Sequence, residues 1–534
     1  MKEATPVRSI GPVAAVFGLL TLLLQPWRNI VCQDDGGYAV SALQLAHGTW
    51  RPHPLSLSSQ WVQFSLATVA LKLFSFLPSL AVLNFMTWVA FLGVVLLACR
   101  GTSWNWRVIA SFFLVPLWAQ YGASFLYEVY DALLVAGLIL LLESTSTKIG
   151  SKLKTFSIFS IACLLPLQQQ TLAAFPFGWG MASLLQGRRK PENFALLVGT
   201  FFGLLIYSLI PRGSMQANFF LALLTVWKSV NIPLFAVTYP VKLVCGMGLF
   251  LLPLLDLGML KRRHLIITLV AQTAVFGLLL LSGTAPIAAG VLFMDYMPRS
   301  IDLAFVSFGV WGLWVVVQYW KQDRQKESNL PLSGTLLAAL AILAFNTFRM
   351  VNDVRYMMII AIPMLFGLKA HSSKILGGKT WIVASLFVAT VITNLYNLNT
   401  NQARWETAAS LEAAGVPTQE ISAGYGRDSF TLGFDCGTRV LEKLAKESGT
   451  GAIPFNRFYE TIYAYNTRIY ELGWQPRDVI KPAIFFGRRL SLIQHTSELQ
   501  QQAPKQMIPY TVLGIPQALA LFESDKPQVG WCFQ

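Results

Sequence analysis

The sequence predicts a bundle of membrane-spanning α-helices followed by a small α/β domain, and three observations carry that prediction. Of 534 residues, 54% are hydrophobic and 13% charged, with a mean hydropathy of +0.53; a soluble globular chain carries about 25% charge. The apolar residues fall in runs near the ~20 residues that cross a bilayer core. The charge is segregated too. Residues 398–534 hold 13 Lys plus Arg and 13 Asp plus Glu, so the whole formal excess of +15 belongs to residues 1–397. Together these exclude an ordinary soluble enzyme, a disordered chain and a fibrous repeat. They also leave no basic face on a soluble domain for nucleic acid.

Taken in order, the apolar runs predict about thirteen spans, near 10–31, 78–99, 108–120, 128–143, 155–167, 170–186, 194–210, 233–256, 265–282, 301–320, 331–346, 354–369 and 380–396. The first run lacks a small-x-small cleavage site and is read as a span, not a removed signal. Residues 1–397 then form the membrane domain, with an outer loop over 32–77, and 398–534 form the soluble domain. With the N-terminus cytoplasmic, the loops on that side collect 19 Lys and Arg and the other side 7. By the positive-inside rule this orientation places the C-terminal domain outside the cytoplasm, in a multi-pass plasma membrane. The acids divide the other way. Asp34, Asp35, Glu128, Asp131, Asp295, Asp302 and Asp353, seven of the thirteen in this part, fall at the outer ends of spans or in outer loops. Charge is expensive beside hydrocarbon and faces a cavity or a partner, so an acid-lined, outward-opening cavity is expected. The plainer reading is solvation of outer loops.

Beyond Asn397 helical and strand-like pieces alternate. Residues 404–416 have helical spacing with a Gly-Val-Pro stop, and 439–449 form a second amphipathic helix. Residues 420–426, 483–487 and 510–515 read as strands. No nucleotide loop, HExxH or GxSxG stands here, so a lid or acceptor-recruiting platform is expected. None of the six cysteines has metal-ligand spacing. Cys99, Cys163 and Cys245 read as packing residues in spans. Cys436 and Cys532 are open to a disulfide or to burial as thiols.

Three segments carry candidate chemistry. The first span is followed by Asp34-Asp35-Gly36-Gly37-Tyr38: adjacent carboxylates at the water–membrane boundary suit a general base or a metal ligand. They would also serve as a turn and helix N-cap. Glu128 and Asp131 lie one helical turn apart and share a face, although acids also simply favour a helix N-terminus. The late outer loop holds Arg349, Asp353, Arg355 and Tyr356. Arginine's planar, permanently charged fork suits a phosphate in a partly dry site; an Arg–Asp pair fixing two helix ends is the alternative.

In order and sidedness these segments resemble the C-type membrane glycosyltransferases, and within them the family 39 group of protein O-mannosyltransferases and the lipid A aminoarabinose transferase. The residues carrying the resemblance are Asp34-Asp35-Gly36-Gly37-Tyr38, His53-Pro54-Leu55, Tyr130-Asp131-Ala132-Leu133-Leu134 and Arg355-Tyr356 with Pro363 beyond. Tail pieces Ala403-Arg404-Trp405-Glu406, Gly415-Val416-Pro417 and Ile421-Ser422-Ala423-Gly424-Tyr425 add to it. The resemblance implies a sugar donor on a polyprenyl phosphate, presented from the membrane lipid. It implies a protein, lipid or glycan acceptor, and inverting transfer of a hexose or pentose outside the cytoplasm. It gives Asp34 first, Asp35 second, the role of positioning or deprotonating the acceptor, and Asp131 the second acidic position. Arg355, with Arg349 and Tyr356, takes the donor phosphate; Glu128, Asp353 and His53 stand behind them. The family often has Asp-Glu where this chain has Asp34-Asp35, so which of the two acts stays open. A divalent cation is equally open, because metal dependence varies across these enzymes. The competing class is a transporter or lipid flippase. Against it stand the absence of an internal hydropathy repeat and the gathering of charge at one face; a non-catalytic membrane scaffold is the third class.

Overall fold

The computed structural model describes residues 10–28, 35–49, 60–74, 78–99, 105–144, 150–210, 232–281, 299–323, 332–348, 355–368, 374–418, 421–422, 470–473, 506–512 and 515–523. The helices, in order, are α1 (Ile10–Leu24), α2 (Asp35–Ala46), α3 (Trp61–Phe74), α4 (Pro78–Ala98), α5 (Trp106–Phe113), α6 (Pro116–Ala123), α7 (Glu128–Glu143), α8 (Ser151–Gln168), α9 (Ala174–Leu185), α10 (Pro191–Leu209), α11 (Ile232–Leu251), α12 (Arg262–Leu281), α13 (Arg299–Asp323), α14 (Leu332–Phe348), α15 (Arg355–Met358), α16 (Ala361–Gly367) and α17 (Thr380–Ala413).

Each predicted span coincides with one or two of these helices. Among the described residues four are long and apolar enough to cross a membrane: Ser79–Ala98, Pro191–Leu209, Leu303–Lys321 and Thr380–Ala413. A bent pair, α6 with α7, makes a fifth if counted as one span. The chain is therefore a polytopic α-helical membrane protein, with four or five helices of spanning length and hydropathy among the described residues against the about thirteen spans expected.

Three expectations change in detail. The span at 108–120 is two short helices, because Pro116 opens α6 and a residue before proline leaves the helical region. The run at 354–369 divides into α15 and α16. The outer loop at 32–77 contains α2 and the apolar α3.

The helices approach through small residues, as membrane helices do when dispersion rather than water expulsion holds them. Gly199 and Gly203 of α10 sit on the backbone of Phe159 and Cys163 in α8. Gly248 of α11 meets Phe308, Gly309 and Gly312 of α13. Gly178 of α9 meets Gly334 of α14. Cys163 and Cys245, the latter against Gly309, lie at these crossings as packing residues. Cys436 and Cys532 lie outside the described residues.

The last helix joins the two parts of the chain. α17 has 34 residues, about 50 Å at 1.5 Å per residue. Low in the helix, Thr390 donates to the Leu114 carbonyl, and Asn394 donates to that of Pro116 at 3.1 Å. Higher up, Ala408 packs with Ile421 and Leu521 of the sheet. The helix stops as its Gly-Val-Pro sequence predicts. Gly415 adopts φ +90°, and the Val416 and Gly415 amides bond back to the Leu411 and Glu412 carbonyls, a Schellman arrangement.

The sheet has β1 (Ile421–Ser422), β2 (Tyr470–Gly473), β3 (Gln506–Val512) and β4 (Ile515–Glu523) in the order β1-β2-β4-β3. β1 runs parallel to β2, and the other pairs are antiparallel. Residues 510–515, expected as one strand, straddle the junction of β3 and β4. The expected helix 439–449 and strand 483–487 lie outside the described residues.

Candidate functional site

The site forms where α6 breaks into α7. The two helices meet at 109°, and the break leaves carbonyls at Tyr121, Ser124 and Phe125 without helical partners. Residues from other helices take them up. Asn84 of α4 donates to Tyr121 O at 2.6 Å and to Ser124 O. Gln63 of α3 donates through Nε2 to Phe125 O at 3.1 Å. Gly122 lets the Trp88 indole lie directly on the bend; a side chain there would collide with it.

This bend delivers Glu128 and Asp131 inside the protein, in the first turn of α7. Each is 1% exposed. Arg355, at the start of α15 and 8% exposed, places Nε 3.2 Å from Glu128 Oε1. Its guanidinium carbon lies 5.6 Å from the centre of the Tyr127 ring, within cation–π range. A buried ion pair repays its desolvation only when geometry and further hydrogen bonds are good, so its presence here marks a place where charge is retained inside the bundle. Asp131 lies within electrostatic reach of both Glu128 and Arg355. Its Oδ1 has no hydrogen-bond partner among the described residues.

The sequence-predicted residues divide into those the fold gathers and those outside the description. Glu128, Asp131 and Arg355 come together. Asp35 is the first residue of α2, and Tyr38, one turn on, packs edge-on against Tyr127 with ring centres 5.6 Å apart. The helix that begins with the Asp-Gly-Gly-Tyr segment therefore abuts the cluster. The side chains of Asp35 and Tyr356 are not among those described, and Asp34, His53, Arg349 and Asp353 lie outside the described residues. Among the described residues no three His, Cys, Asp or Glu side chains gather as metal ligands.

Sequence reasoning missed the amides. Gln60, Gln63, Gln168 and Gln169 are all buried. The signal was present as Gln168-Gln169-Gln170, three glutamines in an otherwise apolar stretch. It also missed Lys242, a buried cation inside α11, the helix against which the Arg355 turn packs. An ionisable residue within a span is a functional candidate by default.

No protein-family model and no curated protein sequence matches the chain. Among solved structures it is similar to ArnT from Cupriavidus metallidurans bound to undecaprenyl phosphate, at 13% identity over 85% of this chain and 76% of that one, with a TM-score of 0.39. It is similar also to ArnT from the same organism in the apo state, at 12% identity over 87% and 93% of the two chains, with a TM-score of 0.37. At those scores the similarity does not define the fold.

Proposed function

We propose that the chain is an integral-membrane glycosyltransferase. It moves a sugar from a polyprenyl-phosphate donor to a protein, lipid or glycan acceptor at the extracytoplasmic face of a plasma membrane, with its N-terminus cytoplasmic and its C-terminal domain outside. One observation carries the reading: Arg355, Glu128 and Asp131, singled out in sequence from two distant segments, share one buried cluster in the membrane part.

Each group has work in such a reaction. The acceptor hydroxyl or amine is a weak nucleophile at neutral pH. Asp34 or Asp35 takes its proton as its lone pair forms the new bond to the anomeric carbon. Asp131 orients the reacting groups. The bond from that carbon to the phosphate oxygen breaks with inversion, and the electron pair leaves on the lipid phosphate. Arg355 meets that charge. A guanidinium can bond a carboxylate on one edge and a phosphate on another, so Glu128 sets its orientation without consuming its function, and no reorganisation is needed as charge develops.

The test is transfer by the purified protein from a labelled polyprenyl-phosphate sugar, with reporter fusions at residue 450 for sidedness. Asp34→Asn should lower the rate by about 10²–10⁴ while the protein still inserts. Asp302→Asn, an outer acid outside the matched segments, should change little. Full activity in the Asp34/Asp35 double variant would sink the base assignment, and cytoplasmic labelling at residue 450 would sink the orientation.

A further inference from the structure

We infer that the buried glutamine cluster beside Asp131 is a sugar-recognition subsite, and that the sugar it takes is uncharged and rich in hydroxyls. The inference rests on the transferase reading and narrows its substrate. Gln168 is the hub. Its Oε1 accepts the Gln63 backbone N–H at 3.0 Å, and its carbonyl accepts the Gln60 N–H at 2.9 Å. Gln63 in turn donates to the Phe125 carbonyl at 3.1 Å, three residues before Glu128. Gln60 holds left-handed backbone at φ +46°, an unusual conformation for a residue with a side chain, which marks a constrained position.

Buried polar atoms are almost always hydrogen-bonded, and exceptions call for an explanation. Three exceptions occur together here. Gln63 Oε1, Gln168 Nε2 and Gln169 Nε2 have no partner among the described residues, and these residues are at most 1% exposed. A primary amide offers donors and an acceptor side by side, and a sugar hydroxyl is itself both donor and acceptor. A cluster of amides with unspent acceptor and donor atoms therefore matches neighbouring hydroxyls on a sugar ring.

Charge excludes the alternatives. A sugar carboxylate would enter beside Glu128 and Asp131. A sugar ammonium would need a carboxylate, yet Glu128 is held by Arg355, in the transferase reading Asp131 serves the reacting groups, and the amides carry no charge to meet it.

The experiment offers the full chain, in detergent, three donors with one lipid: polyprenyl-phosphate mannose, polyprenyl-phosphate 4-amino-4-deoxyarabinose and polyprenyl-phosphate glucuronic acid. Both transfer and binding are read, the latter by native mass spectrometry. The neutral donor should be favoured by at least about tenfold in kcat/KM and in affinity, since a site built to bond hydroxyls discriminates strongly. Gln168→Glu keeps the acceptor oxygen and replaces the amide donor with charge. It should cut the neutral donor's advantage about tenfold, raising the aminosugar relative to mannose, a reversal that a merely structural role would not produce. Equal use of all donors, or preference for a charged one, overturns the inference. So does a folded Gln168→Glu protein with unchanged selectivity. If that variant does not fold, the wild-type donor panel decides. If no donor is transferred, the transferase reading fails, and the binding order alone decides the subsite.

Discussion

Two buried acids, Asp256 and Asp131, stand in the same membrane domain and are treated in opposite ways. Asp256 follows the end of α11 and is 2% exposed. Its Oδ1 accepts the Gly258 N–H at 2.8 Å. Its backbone N–H and carbonyl are both taken by the Gln318 side chain, at 2.9 and 2.8 Å. Around it Leu257 and Leu376 bond across to Lys374 and Leu255, and Ser111 of α5 donates to the Gly377 carbonyl at 2.9 Å. Neither Asp256 nor Gln318 has a buried polar side-chain atom left over. A fully satisfied polar cluster of this kind ties elements together. Around Asp131 the polar atoms are numerous, buried and incompletely used. The difference teaches how to tell architecture from chemistry when both are polar and both are buried: the first closes its hydrogen bonds internally, and the second keeps capacity for something else.

Substitutions on the two sides should therefore fail differently. The largest effect is expected from Asp131→Asn, which keeps the shape and removes the charge. Transfer should fall by about 10²–10⁴ with the melting temperature held. A large drop in melting temperature would instead class Asp131 with Asp256. Arg355→Ala should act on both axes, because it leaves Glu128 as an uncompensated buried charge at a cost of about 3–5 kcal/mol and removes the phosphate's partner. Arg355→Lys separates the two: thermal unfolding should recover most of the stability while donor KM stays raised, since an ammonium cannot grip phosphate bidentately.

Asp256→Ala is the mirror experiment. It removes the cap on the Gly258 N–H while the Gln318 bonds to the backbone remain, so it should cost about 0.5–2 kcal/mol and leave the turnover of the folded fraction unchanged. A loss of turnover there would dissolve the contrast. The smallest change is expected from Asn399→Ala. The Asn399 amide donates to the Thr511 carbonyl at 2.8 Å in an exposed setting, so its loss should cost about 1 kcal/mol or less, detectable as easier proteolysis of the tail with transfer unaffected.

Much of this was legible in the linear chain. Composition and run length alone define a polytopic helical protein, because hydrocarbon demands long apolar helices with internally satisfied backbones. The Gly-Val-Pro stop of α17 was readable because a Schellman end needs a left-handed residue at one position and glycine supplies it. Glu128 and Asp131 were readable as a pair because helical periodicity alone puts them on one face. Three things were settled by packing. Hydropathy does not register the 109° bend before Glu128, since the broken backbone bonds are recovered by Asn84 and Gln63 from other helices. Arg355 was visible as a cation, but its partner could have been Asp353 beside it, and only the packing of α15 sets it on Glu128. The amide cluster was hidden because glutamine is ordinary in sequence. It acquires meaning when Gln63 and Gln168, 105 residues apart, are buried together, where desolvation turns an unused hydrogen-bonding atom from a trivial fact into an expensive one.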